Sequence, residues 1–87
     1  MLDALTLDQM RIFVAVVDEG SFSAAARKLG RVQSAVSQSI AALEQELGIA
    51  LFDRTGKAPT PTAAGVALAR DARRLIAGAA EFRKRAA

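Results

Sequence analysis

The 87-residue sequence predicts an all-α, mainly helical fold in one small domain. Alanine recurs along the chain, strand-like alternation of apolar and polar residues is nearly absent, and apolar residues repeat at helical spacing. Hydrophobic residues make up 52% of the chain and charged residues 24%, a globular rather than a disordered composition. A chain of this length has room for one dense core only.

The first helix is expected to begin at Thr6, because residues 6–9 form a capping box, and to end at Gly20. A second, short helix is expected to begin after Ser21 or Ser23, either of which can cap it, and to end at Leu29. The apolar stripe of the first helix is predicted to contain Met10, Phe13, Val14 and Val17.

The third helix is predicted over Gln33–Leu47 and is closed by Gly48. Its apolar stripe, Val36, Ile40, Leu43 and Leu47, has spacings of four, three and four residues. Residues 49–61 lose the helical period, and Pro59 and Pro61 are incompatible with a helix interior. These residues therefore predict a small, irregular two-stranded hairpin.

A last helix is predicted from about Thr62 to the end of the chain. Its apolar residues form a narrow seam with heptad spacing, which is typical of a helix that pairs with another helix. We name this set the seam: Leu68, Ala72, Leu75, Ala79, Phe82 and Ala86.

The composition excludes several classes of function. The chain has no His and no Cys, so it lacks the usual general base, the thiol nucleophile and the common zinc ligands. We therefore expect no enzyme activity, no cofactor and no metal site. No apolar run approaches the ~18 residues that cross a membrane, and the N-terminus opens with Asp3 and Asp8 where a signal peptide has basic residues. We expect a cytoplasmic protein without a membrane partner.

The charge is distributed unevenly. Net charge is +3, with the first 26 residues acidic and the remainder basic. This asymmetry is compatible with a polyanionic partner that meets one side of the molecule, and equally with ordinary solvated charge.

Residues 22–41 have the spacing of a helix-turn-helix motif. Ala26 is small where two helices must cross closely, Gly30 can adopt the positive φ of a tight turn, and Val36 lies where a side chain wedges between the helices. A plain three-helix bundle with an alanine-rich hairpin would show the same spacing, so the motif alone leaves both interpretations open.

The face of the third helix opposite its apolar stripe favours the first interpretation. It contains Ser34, Gln38, Ala41 and Gln45, with Ser37 at its edge, and no acid occurs between Gln33 and Leu43. Amide side chains pair with adenine, and alanine can contact the thymine methyl group. The cations that lie nearby in sequence, where phosphates would be met, are Arg27, Lys28, Arg31, Arg54 and Lys57.

Six segments complete an ordered pattern. They are Phe-Val-Ala-Val (13–16), Gly-Ser-Phe-Ser-Ala-Ala-Ala (20–26), Gln-Ser-Ala-Val-Ser (33–37), Leu-Glu-Gln-Glu-Leu-Gly (43–48), Leu-Phe-Asp-Arg (51–54) and Thr-Ala-Ala-Gly (62–65). In this order and spacing they resemble the N-terminal DNA-binding domain of LysR-type transcriptional regulators. The likeness runs from Leu5 to Gly65, and residues 62–87 correspond to the family's linker helix.

The resemblance implies a winged helix-turn-helix over residues 5–62, with the motif at 22–41 and the wing at 52–61. It implies that the third helix enters the major groove of double-stranded DNA, that the wing lies beside a minor groove, and that residues 62–87 pair two subunits. The implied base-contacting residues are Gln33, Ser34, Ala35, Ser37 and Gln38. The implied phosphate and wing residues are Ser23, Arg31, Arg54, Thr55 and Lys57. The implied dimer contacts are Leu68, Ala72, Leu75, Ala79 and Phe82.

The chain departs from the family pattern at several positions. Gln38 stands where Arg is common, Ser34 where Pro is common, and Val32 where a capping Ser is common. Pro59 and Pro61 replace residues that pair in the wing. The family's C-terminal ligand-binding domain is absent from this chain, which suggests an excised domain or a natural truncation.

Two other functions compete with DNA binding. In one, the seam binds a partner helix and DNA has no role. In the other, residues 66–85 form an amphipathic helix at a membrane surface, for which the cations of the last helix would be suited. The absence of acids on the outer face of the third helix favours DNA binding over the first. For the second, flanking charges on a dimer helix explain the same cations equally well.

Overall fold

The computed structural model describes residues 5–87, and Asp3 lies outside them. Four helices and one small antiparallel sheet follow one another along the chain. They are α1 (Leu7–Glu19), α2 (Phe22–Leu29), α3 (Gln33–Leu47), β1 (Phe52–Asp53), β2 (Thr60–Pro61) and α4 (Ala63–Ala86). The predicted mainly helical fold with a two-stranded wing and a long last helix is confirmed.

Side-chain caps define where three of the helices begin. At α1, Thr6 Oγ1 accepts the Gln9 backbone N–H at 3.1 Å while Gln9 Oε1 accepts the Thr6 N–H at 3.0 Å, which is the predicted capping box. At α2 the cap is Ser21, whose Oγ accepts the Ala24 N–H at 3.0 Å. At α4 Thr62 caps in the same way, accepting the Gly65 N–H at 3.0 Å.

The wing is short because one proline, Pro61, lies in its second strand and another, Pro59, lies just before it. Phe52 pairs with Pro61 and Asp53 with Thr60. Proline has no N–H to donate, so the ladder does not extend further along this strand. The Thr62 N–H donates to the Leu51 carbonyl oxygen at 3.0 Å and closes the base of the hairpin.

The core lies where α1 meets the three other helices. The predicted stripe of α3 is buried at Val36, Ile40 and Leu43, but its fourth member, Leu47, is exposed because it lies in the last turn, at the rim of an apolar groove. Of the predicted stripe of α1 only Phe13 is fully buried, while Met10, Val14 and Val17 are half-buried and pack against the core, since this helix is packed on several sides. Its buried residues are Ile12, Phe13, Ala15 and Val16.

The first half of α4 packs closely against the rest of the chain. A Cβ added at Gly65 would overlap the Leu51 carbonyl oxygen, so only glycine permits this approach. Ala69 and Ala72 are buried, and Leu68 packs against the core. Because α4 crosses α1 here, the predicted seam residues Leu68 and Ala72 make contacts inside their own chain.

Candidate nucleic-acid interface

The α2–turn–α3 unit has the geometry of a helix-turn-helix. Gly30 has a φ of 68°, in the left-handed region, and the Arg31 N–H donates to the Ala26 carbonyl oxygen at 2.9 Å. Ala26 and Val36 are both buried. Gly30 therefore has the positive φ that was predicted for it, and Ala26 and Val36 are buried, as expected for residues between packed helices.

The outer face of α3 is exposed and uncharged. Four of the predicted base-contacting residues are exposed, and Ser37 is half-buried at the edge of the face. Val32, in the N-cap position, makes no side-chain hydrogen bond and is 67% exposed. The four exposed residues are Gln33, Ser34, Ala35 and Gln38.

Arg31, predicted to contact phosphate, is held by a carboxylate of α1. Its two terminal nitrogens donate to the two oxygens of Asp8, both at 2.7 Å. These hydrogen bonds hold the pKa of Asp8 below its ordinary value and raise the pKa of Arg31. The pair is exposed, so it links α1 to the turn before α3 while leaving the guanidinium accessible to a further anion.

Arg54 of the wing lies between an acid and an aromatic ring. Its Nη2 donates to Glu44 Oε1 at 3.2 Å, and its guanidinium carbon lies 5.4 Å from the centre of the Phe22 ring. Glu44 also accepts the backbone N–H of Leu51 at 2.8 Å and that of Phe52 at 3.3 Å. Sequence reasoning did not assign Glu44 a role. Its position could have indicated this role, because Glu44 is an acid that lies shortly before an irregular segment, and the backbone amides of such a segment need hydrogen-bond acceptors.

The tip of the wing is exposed. Asp53 Oδ1 accepts the Thr55 N–H at 2.9 Å and the Thr55 hydroxyl at 2.7 Å, and these bonds lower the pKa of Asp53. The Thr55 hydroxyl proton is therefore directed inward, toward the turn. Lys57 forms no ion pair with any of residues 5–87.

Ser23 lies in the first turn of α2. It is half-buried, and its Oγ is 3.5 Å from the Oγ of the capping residue Ser21. The structure brings it to the N-terminal end of α2, the same end at which Phe22 lies under Arg54.

The second half of α4 exposes apolar side chains. Leu75 is 56% exposed and Phe82 74%, while Ala79 between them is half-buried. Leu75 also lies at one edge of the apolar groove between α1, α3 and α4, which Leu47 borders as well. The seam is thus divided, with its first two residues packed inside the chain and Leu75 and Phe82 exposed.

Comparison with known proteins identifies the family. A family model described as "Bacterial regulatory helix-turn-helix protein, lysR family" matches residues 7–66. The chain belongs to the LysR family.

Sequence relatives within this family are bacterial regulators. Over 56 residues the chain is 62% identical to the HTH-type transcriptional regulator AceR of Acinetobacter baumannii, a match that covers 64% of this chain and 19% of AceR. Over 68 residues it is 48% identical to ClcR of Pseudomonas putida, which covers 78% of this chain and 23% of ClcR. The chain thus spans about a fifth of the length of these curated relatives.

Solved structures of the same family share the fold over nearly the whole chain. The crystal structure of a BenM_DBD/benA site 1 DNA complex superposes with a TM-score of 0.90 at 35% identity, covering 94% of this chain and 92% of that chain. A CbnR_DBD–DNA complex superposes with a TM-score of 0.83 at 37% identity, covering 94% and 97%. This LysR-family chain is therefore a winged helix-turn-helix.

Over residues 5–87 of this LysR-family chain, no cluster of three or more carboxylates is arranged to hold a metal ion. Among those residues, none of the helices is both long enough and apolar enough to span a bilayer.

Proposed function

We propose that this chain binds double-stranded DNA sequence-specifically, as the DNA-binding domain of a LysR-type transcription regulator in the bacterial cytoplasm. In this proposal α3 enters the major groove and the wing, residues 52–61, lies beside a minor groove. The observation that carries the proposal is the exposed, uncharged outer face of α3, which has cations on either side. Two structural relatives are DNA complexes, which supports the same assignment.

Base reading is assigned to the outer face of α3. Gln38 lies one turn beyond Ser34 on an exposed face, and its amide can both donate and accept, as the N7 and N6 atoms of adenine require. Ala35 is small enough to approach a thymine methyl group. Gln33, Ser34 and Ser37 complete the proposed contact set, to bases or to nearby phosphates.

Phosphate binding is assigned to the flanks of α3. Lys57 at the wing tip and Arg31 in the turn before α3 supply charge, while Arg54 supplies charge directly after β1. Ser23 supplies a hydroxyl donor, and Thr55 is assigned to the wing tip, where a phosphate would compete with Asp53 for its N–H and hydroxyl donors. Contacts of this kind position a protein on the duplex, whereas base contacts give it specificity.

Dimerisation is assigned to the exposed part of the seam. Leu75 and Phe82 are large apolar side chains that are more than half exposed to water in a single chain, and Ala79 lies between them at the helical spacing of a paired helix. A two-fold dimer would present two α3 helices to two half-sites of a dyad-symmetric operator.

The competing function is a protein–protein interaction module that uses the seam and has no DNA partner. It accounts for Leu75 and Phe82 but not for the lack of charge on the outer face of α3, where an ordinary solvated helix shows Lys and Glu.

Selection of bound sequences from a random duplex pool tests the proposal. We expect enrichment of a site with two inverted half-sites, since each subunit of a dimer reads one of them. Enrichment of a single half-site would support sequence-specific DNA binding but would contradict binding as a dimer. Absence of any enriched sequence, with binding unaffected by sequence, would contradict specific recognition.

A further inference from the structure

We infer that Glu44 is a positioning residue for DNA binding. One of its oxygens orients the guanidinium of Arg54, which then binds a phosphate, and the other accepts hydrogen bonds from the backbone at the start of the wing. The inference rests on the proposed function, in which the wing meets DNA. It assigns to an acid of α3 a role that net charge alone would not suggest, since an acid beside a polyanion is ordinarily unfavourable.

The two oxygens of Glu44 have separate tasks. Oε2 accepts the backbone N–H groups of Leu51 and Phe52, at 2.8 and 3.3 Å, where the chain enters the wing. Oε1 accepts from Arg54 Nη2 at 3.2 Å. The Glu44 side chain is only 15% exposed, whereas that of Arg54 is 45% exposed. The acid is thus shielded behind the cation, and the cation is what a ligand would meet.

The guanidinium is held on a second side by aromatic rings. It lies over Phe22, whose ring makes an edge contact with Phe52 at a centroid distance of 6.2 Å. Phe52 in turn meets the buried ring of Phe13 at 5.8 Å. Three rings therefore connect the support of Arg54 to the core.

Arg54 keeps donors for an anion in this arrangement. A guanidinium has five N–H donors in a fixed plane, and only Nη2 donates to an acceptor within residues 5–87. An arginine that is already ordered loses less side-chain freedom on binding than a mobile one. The advantage for one side chain is about three- to tenfold in affinity.

Glu44→Gln separates the two tasks. The amide oxygen of glutamine can replace Oε2 and accept from Leu51 and Phe52. Its amide NH2 then faces Arg54, which has no acceptor for it. The variant should therefore keep the wing and release the guanidinium.

The experiment measures the affinity of the full 87-residue chain for its selected duplex, with and without Arg54→Ala. We expect Glu44→Gln to weaken binding about three- to tenfold, and to have no further effect once Arg54 is alanine. In a Lys57→Ala background the loss should remain, because Lys57 does not contact Glu44. Glu46→Gln is the matched control, since it removes an exposed neighbouring acid without an ion pair in residues 5–87, and we expect it to leave affinity unchanged or slightly higher.

Phe22→Leu gives a second, independent variant. It keeps an apolar side chain but removes the ring under the guanidinium, and the same Arg54-dependent loss is expected. This variant decides the question if thermal unfolding shows that Glu44→Gln is not folded at the assay temperature.

Three results would overturn the inference. The first is tighter duplex binding by Glu44→Gln, which would mean that the acid competes with phosphate. The second is an unchanged affinity of this variant. The third is an equal loss of affinity in the presence and in the absence of the Arg54 side chain. Failure of the proposed function looks different, because the wild-type chain would then bind no duplex selectively. If Arg54→Ala did not change the affinity for the duplex, only the positioning role of Glu44 would be ruled out, and the proposed DNA binding would stand.

Discussion

The outer face of α3 and the second half of α4 are both exposed, yet each differs from an ordinary solvated helix in its own way. The face of α3 lacks charge and consists of amides, hydroxyls and alanine, whereas α4 exposes Leu75 and Phe82 among cations. An uncharged hydrogen-bonding face suits base edges, and an exposed apolar seam suits a second helix. The chemistry of an exposed face therefore indicates its partner better than exposure alone.

The largest effect is expected on the α4 side, where Leu75→Asp tests the seam. A charge placed against a partner's apolar side chains is strongly unfavourable, so the dissociation constant of the dimer should rise at least about 100-fold. Sedimentation measures this change directly. Ala77→Asp on the same helix, exposed and off the seam, should leave the dimer intact. An unchanged dimer in Leu75→Asp, or a wild type that is monomeric at micromolar concentration, would contradict the assignment.

The next effect is expected on the α3 side, at Gln38. Gln38→Ala should weaken binding to the best site about tenfold while barely changing affinity for random DNA, because only a base contact is lost. Gln38→Arg should shift the preferred base toward guanine, whose O6 and N7 match the guanidinium. Competition binding with single-base variants of the site measures both. Gln45→Ala is the control, because this exposed glutamine lies two turns further along the same face and outside the proposed contact set. A base preference that both Gln38 variants retain at every position would show that Gln38 is not a reader.

A smaller effect is expected from the charge beside α3. Lys57→Ala should flatten the dependence of log K on log salt by roughly two units per dimer, because each subunit loses one phosphate contact. Titrations at several salt concentrations give the slope. Lys84→Ala removes the same charge about 30 Å along α4 from the wing and should alter the slope much less. An affinity that does not depend on salt would exclude this mode of binding.

The smallest effect is expected where α4 meets α1, at the exposed pair of Asp18 and Arg73. Arg73 donates to the two Asp18 oxygens at 2.6 and 3.2 Å, which lowers the pKa of Asp18. A lowered carboxyl pKa stabilises the fold above the unfolded value of about 3.9, and that stabilisation is lost as pH falls through the folded value. Asp18→Asn should lower the free energy of unfolding by less than about 1 kcal/mol at pH 7, since solvent screens the pair.

Urea unfolding at pH 7 and at pH 3 checks this expectation. The difference between wild type and Asp18→Asn should shrink at the lower pH. Asp71→Asn is the control, because its contact with Arg74 is longer, at 3.6 Å, and more exposed, so its effect should be smaller still. A difference that grows as the pH falls would contradict the assigned sign.

The contrast between the two surfaces was partly readable in the sequence. The helical period of the apolar stripe of α3 identifies its buried face, and the same period then predicts which residues lie on the opposite, exposed face. The heptad spacing of α4 also predicted the seam, but it did not predict which seam residues pack inside the chain and which are exposed. Leu68 and Ala72 belong to the same heptad pattern as Leu75 and Phe82, and only the crossing of α4 over α1 separates them.

Local chemistry determined the elements of this chain. Capping residues such as Thr6 and Ser21, and glycines such as Gly20 and Gly30, act on backbone groups three or four residues away, so sequence alone predicts where helices begin and end. Tertiary structure alone decided how the cations are held. Arg31 meets an acid of α1 that is 23 residues distant, and Arg54 meets an acid of α3 that is 10 residues distant. Packing of α1 beside the turn before α3, and of the wing against α3, brings these groups together, which spacing along one helix does not predict.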